Sequence, residues 1–345
     1  MFPRLREFRN SLQQRGLLGQ PLYFAKVDVK SCFDTIPQNS LVALVEELLS
    51  VNEYSVVRHA EIKRLPSHQQ DQPDKFTTRF VADGQAAGSP EQPIYTDARQ
   101  VRRNTIFVDL GVPQIQHKRK VLHLLKEHVE RNIVKIGKKY YRQKEGIPQG
   151  SVLSSLLCNF FYAKLERECL DFVQTEDCLL LRLVDDFLLI SVRREHAEDF
   201  LQVMHNGVPA YGLAVKAEKS LANFDVEING RRIESTKGAM QFPYCGNTIH
   251  TVSLDISKDR ERKQHGKTSD SLTVDFSKMP GRTFRRKTLS ALKVQMHSML
   301  LDTSFNSLAT VLANLHHSFL GAAQKCYSYM RNLPVVKQPP ARLVI

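Results

Sequence analysis

Two aspartates stand side by side at Asp185 and Asp186, inside the otherwise apolar stretch Leu-Val-Asp-Asp-Phe-Leu-Leu that runs from Leu183 to Leu189. Two like charges about 4 Å apart repel by about 4 kcal/mol at an intermediate effective dielectric, and a divalent cation converts that penalty into a binding site. A surface turn is the plain alternative. A third acid, Asp28, follows the apolar run LYFAKV, where it is either a strand-terminating turn residue or a ligand. If antiparallel neighbouring strands carry these acids, all three carboxylates come together. Hard oxygen ligands of this kind suit Mg2+, and two such ions about 3.5–4 Å apart suit in-line phosphoryl transfer. One ion activates the attacking hydroxyl and the other steadies the leaving pyrophosphate. Strand side chains alternate between faces, so the bend turns both Asp185 and Asp186 toward one ion or leaves one in support; Asp185 is the stronger ligand candidate.

The elements that hold these acids are readable from periodicity. LYFAKVDV, after Pro21, predicts a buried strand. IPQNSLVALVEELLS predicts a helix with Leu41, Leu44, Val45, Leu48 and Leu49 on its apolar side and Asn39 or Ser40 as cap. From Pro66 to Pro93 the composition turns to Gln, Asp, Pro, Gly and Ser, which predicts loops or local disorder rather than core, within an insertion spanning about residues 53–115. RKVLHLLKEHVERNIVKI is amphipathic at helical spacing, KKYYRQKEGIPQGS ends in a Gly/Pro turn, and VLSSLLCNFFYAKLERECLDFV predicts a long, mostly buried helix. CLLLRLV and FLLIS then predict two strands meeting at the paired aspartates. This strand, helix, strand, strand, helix, strand order predicts an α+β, ferredoxin-like split βαβ arrangement over residues 1–256.

Residues 257–271 are polar and charged and read as a linker into a helical region over 272–345. There Leu289, Leu292, Met296, Met299 and Leu300 recur at helical spacing. Leu308, Val311, Leu312, Leu315, Phe319, Ala322, Cys326 and Met330 do the same on a second face. Arg282, Arg285, Arg286 and Lys287 at the start of this region suit a phosphate backbone or a solvated face.

A formal charge of +13 favours polyanionic partners, nucleic acid first. The six cysteines fall into neither a CxxC pair nor a zinc-spaced cluster, which argues against a disulfide framework and fits a reducing compartment. No apolar run is long enough to span a membrane.

With these residues in view, LYFAKVDVKSCFDTIPQ resembles reverse-transcriptase motif A in its telomerase form. EGIPQGSVLSSLLCNFFYAKLE resembles motif B′, LLLRLVDDFLLIS motif C, GVPAYGLAVKAEKSLANF motif D, and FPYCGNTIHT the motif E primer grip, all in the family's order. The tail from Gly281 resembles the telomerase thumb. The resemblance implies a reverse-transcriptase palm with partial fingers, followed by an all-helical thumb. It implies an RNA-directed DNA polymerase that extends a telomeric DNA 3′ end on a telomerase RNA template, using deoxynucleoside triphosphates and two Mg2+ ions within a ribonucleoprotein at nuclear telomeres.

Residue by residue, the resemblance makes Asp28, Asp185 and Asp186 the catalytic, metal-binding aspartates. Lys219 matches the lysine that acts as general acid toward pyrophosphate; a surface lysine is its bland reading. Phe33 falls at the steric-gate position, with a core aromatic as alternative, and Gln149 and Gly150 at the loop beside the incoming base, with a helix-entry turn as alternative. Cys245, Gly246 and Leu183 would hold the primer end. The finger motifs and RNA-binding domain that the family carries upstream of motif A are not in this sequence, so a fragment or a truncated form is expected. A retroelement or group II intron polymerase and a catalytically silent nucleic-acid-binding module are the competing readings. The long insertion, the VDDF sequence and the FPYCG grip favour the telomerase form.

Overall fold

A computed structural model describes residues 2–65, 75–88, 105–259 and 279–338. Most of the expected linker and parts of the insertion lie outside them. The chain forms two compact units, residues 1–32 with 162–345, and residues 33–161.

In the first unit the strands Tyr23–Asp28, Cys178–Leu183, Asp186–Ser191 and Leu221–Ala222 follow one another along the chain. In the sheet they lie in the order fourth, first, third, second, with every neighbouring pair antiparallel. The helices Val152–Cys169 and Arg194–Asn206 fall after the first and third strands, which completes the ferredoxin-like pattern. Glu234–Ser235 adds a short parallel strand on the outer edge.

Period-two alternation divides the residues of this sheet. Ala25 and Val27 point to one face, while Phe24, Lys26 and Asp28 point to the other. Cross-strand partners share a face, so Leu179, Leu181 and Leu183 join Asp186, Leu188 and Ile190 on the Asp28 side. The apolar members of that face pack with Leu5, Phe8 and Leu12 of the Phe2–Gln14 helix and with Phe242, Tyr244 and Ile249 of a second sheet. Burial of apolar surface at about 25 cal/mol per Å² fixes the strands, and the two acids fall at the end of the buried rows.

The second sheet consists of Gln241–Tyr244, Asn247–His250 and Ile256–Lys258. Helices Pro280–Gln295, Ser298–Leu301 and Leu308–Arg331 follow, as expected for a helical tail. Their stripe differs from the apolar one expected. Leu308, Leu312 and Phe319 are exposed, and the buried positions are Val311, Asn314, Ser318, Ala322 and Tyr329. The reason is polar. The outer edge of Ile256 needs partners, and Asn306 Oδ1 accepts from its amide at 2.8 Å while Asn314 Nδ2 donates to its carbonyl at 2.8 Å. Asn314 also donates to the Leu300 carbonyl at 3.0 Å. Asp255 accepts from the Ser307 amide at 3.1 Å and from Thr310 Oγ1 at 2.9 Å. Asn314→Ala strands two buried carbonyls, and unfolding in urea is expected to show a loss of about 2–4 kcal/mol.

The second unit contains the Gln38–Leu48 helix, which starts at Pro37 without a side-chain cap rather than at Asn39 or Ser40. The insertion is a four-stranded antiparallel sheet built on Glu53–Leu65, with Lys75–Ala86, Thr105–Asp109 and Gln114–His117 paired to it. Over Lys75–Ala86 this corrects the expectation of loops between Pro66 and Pro93, of which residues 66–74 and 89–93 lie outside the described residues. The β-branched and aromatic residues of KFTTRFV outweigh Asp83 and Gly84 once a long partner strand supplies the ladder. The helix expected through Ile136 ends at Glu130, and Ile133–Ile136 pairs with Lys139–Arg142 as a hairpin. Along Val152–Cys169, Val152, Leu153, Leu156 and Phe160 are exposed, so this helix is less buried than its composition implies.

Candidate active site

Asp28 ends its strand directly opposite Asp186, its Cα partner on the neighbouring strand. Asp185 occupies the two-residue loop between Leu183 and Asp186, and its carbonyl accepts from the Val29 amide at 3.0 Å. The three acids therefore share one end of the sheet, with Asp28 and Asp186 on the same face. Val184, the first loop residue, has φ 58°, a left-handed conformation that a β-branched residue adopts at a cost of about 1–3 kcal/mol. That strain keeps the reversal to two residues.

The electrostatics carry the mark of a crowded acid cluster. Burial pushes the Asp186 carboxyl above its ordinary range; Lys26 opposes this, while Asp185 and Asp28 add to it. Asp28 is 8% exposed and is held by Lys216 Nζ at 3.0 Å from Oδ1 and Lys219 Nζ at 3.2 Å from Oδ2. The hydrogen bond to Asp28 raises the Lys216 ammonium. In this arrangement no three His, Cys, Asp or Glu side chains among the described residues converge as a metal-binding group. The chemistry of the donor set still fits divalent cations: the three carboxylates at this end of the sheet are hard oxygen donors, and the repulsion felt by Asp186 is relieved by added positive charge.

A second turn faces Asp186. Tyr244 and Asn247 close a hairpin whose two loop residues, Cys245 and Gly246, have φ 49° and 75°, the type I′ pattern that matches strand twist. The Tyr244 hydroxyl donates to the Asp186 carbonyl at 3.0 Å, and Cys245 Sγ lies 3.8 Å from Asp186 Oδ2. Burial, then the Asp186 charge, pushes the Cys245 thiol up to about 11. Lys26, Asp28, Asp186, Lys219, Tyr244, Cys245 and Gly246 all line one cleft of about 910 Å³. Leu183 is exposed beside it on the same sheet face.

Of the residues singled out in the sequence, Asp28, Asp185, Asp186, Lys219, Cys245, Gly246 and Leu183 are thus brought together in the first unit. Phe33, Gln149 and Gly150 belong to the second, where the Ile147 amide donates to the Phe33 carbonyl at 2.7 Å. Gln149 and Gly150 are exposed and Phe33 is half-buried. Sequence reasoning missed Lys26, Lys216 and Tyr244. Lys26 was signalled by alternation, since it stands two residues before Asp28 on the same face.

Known proteins resemble this chain in two stretches. Residues 100–249 match the family model described as reverse transcriptase (RNA-dependent DNA polymerase), a span that includes Asp185, Asp186, Lys219 and Cys245. The fold and this match define a reverse-transcriptase domain. Residues 282–342 match the telomerase reverse transcriptase C-terminal extension. Telomerase reverse transcriptase of Bos taurus is 34% identical over 97% of this chain and 30% of its own length, and that of Rattus norvegicus 32% over 94% and 29%. The chain is similar to telomerase reverse transcriptases along almost all of its own length and spans about 30% of the length of these curated relatives. Among solved structures, telomerase from Candida albicans in complex with a fragment of telomeric RNA aligns with a TM-score of 0.61 at 20% identity, covering 96% of this chain and 42% of that one. Apo telomerase from Candida tropicalis aligns at 0.54 and 23%, covering 96% and 45%. These two likenesses concern the fold.

Proposed function

We propose that this chain carries the polymerising centre of telomerase, adding deoxynucleotides to a DNA 3′ end by copying an RNA template. The observation that supports it best is the pairing of Asp28 with Asp186 beside Asp185, at the mouth of a cleft closed by the Cys245–Gly246 turn. Asp28, Asp185 and Asp186 would hold two divalent ions, magnesium by the hardness of their oxygens. When bound, those ions supply charge neutralisation at the attacking 3′ oxygen and at the leaving pyrophosphate.

The remaining work falls to the side chains of the chain itself. Cys245, Gly246 and Leu183 orient the primer end, because the turn and the exposed leucine flank the acids on one face. Lys219, an exposed ammonium on a flexible stem, donates a proton to the departing pyrophosphate. By the resemblance, Phe33 would act as the gate against a 2′-hydroxyl, and Gln149 and Gly150 as contacts of the incoming base. The telomerase RNA, telomeric single-stranded DNA and the rest of the ribonucleoprotein are the partners of this reading, and the telomere in the nucleus is its location.

The test is primer extension by the chain, assayed alone and joined behind the upstream part of the bovine relative, with RNA templates of two different sequences. Each product should be complementary to the RNA supplied. Addition that ignores the template sequence contradicts the proposal.

A further inference from the structure

Lys216 has no role in the reaction above, yet its ammonium is 3.0 Å from Asp28 Oδ1 while Lys219 takes Oδ2 at 3.2 Å. One carboxylate thus holds two cations on separate oxygens. The backbone explains why Lys216 stays close: its amide donates to the Asp28 carbonyl at 2.9 Å, and Val215 bridges Val29. Lys219 hangs one 3₁₀ turn further on, its own amide donating to the Lys216 carbonyl at 2.9 Å. A buried carboxylate beside two others is costly without counter-charge.

We propose that Lys216 is a placeholder cation, which neutralises Asp28 while no divalent ion is bound and moves to the phosphate chain of the incoming nucleotide when one arrives. The inference rests on the polymerase reading. Asp28 Oδ1 cannot serve an ammonium and a metal ion in the same geometry, so the two compete. Lysine suits the exchange, because its compact charge rides on a four-carbon stem that swings while the Cα stays pinned to the Asp28 strand. The competition weakens the first ion in the absence of nucleotide. A nucleotide removes it by offering phosphate oxygens to the displaced ammonium, which couples ion binding to substrate binding. Lys216 therefore counters the Asp28 charge first and contacts the nucleotide phosphates afterwards.

Mn2+ titration of the nucleotide-free chain, read by loss of the free-ion paramagnetic resonance signal, tests this in the unaltered chain and in Lys216→Met, Lys216→Arg and Asp185→Ala. Lys216→Met is expected to bind Mn2+ about fivefold more tightly, the effect of removing one partly exposed ion pair, whereas Lys216→Arg should match the unaltered chain. The same Lys216→Met chain should bind a non-hydrolysable deoxynucleoside triphosphate several-fold more weakly. A lysine with a merely structural role would shift both affinities in one direction or neither. If Lys216→Met does not fold, Lys216→Gln supplies the same comparison. Unchanged or weaker Mn2+ binding by a folded neutral variant overturns the placeholder and leaves the polymerase reading intact. Mn2+ binding that Asp185→Ala does not reduce overturns the polymerase reading as well.

Discussion

Gly146→Ala is expected to lower the unfolding free energy by about 2–5 kcal/mol and to abolish nucleotide addition. Two costs combine. Gly146 has φ +72°, a left-handed backbone that costs an L-residue about 1–2 kcal/mol. An added Cβ would also stand 2.4 Å from the Phe33 carbonyl oxygen and 2.5 Å from the Asp34 Cα. Both atoms are backbone and cannot swing away, so the two segments must part, a form of overpacking worth about 1–3 kcal/mol. That movement breaks two hydrogen bonds, from the Ile147 amide to the Phe33 carbonyl at 2.7 Å and from Gln38 Nε2 to the Gly146 carbonyl at 2.9 Å. These bonds join the segment carrying Phe33 to the turn carrying Gln149. Gly150→Ala is the control: its φ is +84°, yet nothing lies within 4 Å of the added atom. It should cost only the backbone term, about 1–2 kcal/mol. Urea unfolding of the two variants separates close approach from conformation, and equal losses would contradict the packing argument.

The central sheet is legible in the sequence because its strands are short apolar runs bounded by turns, and the acids interrupt those runs at their ends. Alternation alone puts Lys26 and Asp28 on one face. What the sequence leaves open is which of Asp185 and Asp186 stands opposite Asp28. The sequence reading takes Asp185 as the stronger ligand candidate, whereas the register pairs Asp28 with Asp186 and leaves Asp185 in the loop. Register depends on a loop residue at φ 58°, and nothing in the residue type of Val184 signals that conformation. The insertion departs from expectation for a related reason: its ladder runs from Leu65 opposite Lys75 to Tyr54 opposite Ala86, a pairing at a distance along the chain, while local composition speaks for loops. On the Leu308–Arg331 helix periodicity predicts an apolar stripe, and the buried stripe is mixed. Asn314 is buried because Ile256 and Leu300 present carbonyls to it, a long-range demand invisible to helical periodicity. The cleft residues are found by motif order, while Lys216 and Tyr244 require coordinates, since both act through Asp28 or Asp186 rather than through a recognisable spacing.

Asp185→Ala is expected to reduce RNA-templated extension by at least about a thousandfold, in keeping with the loss of a metal-binding, charge-stabilising group from a phosphoryl-transfer centre. The fold should not suffer. The Asp185 carbonyl accepts a hydrogen bond from the Val29 amide, and the substitution keeps that carbonyl. Its carboxylate raises the neighbouring Asp186, so its removal relieves like-charge repulsion rather than breaking a contact. Stability should therefore be unchanged or slightly higher. The most direct measurement sets extension against RNA–DNA duplex binding in the same preparation, for the unaltered chain and for Asp185→Ala, each joined behind the upstream part of the bovine relative. The account predicts that extension disappears while duplex affinity stays within about twofold, because the acid acts on the reacting phosphate and not on the duplex backbone. Extension that persists in Asp185→Ala would contradict it.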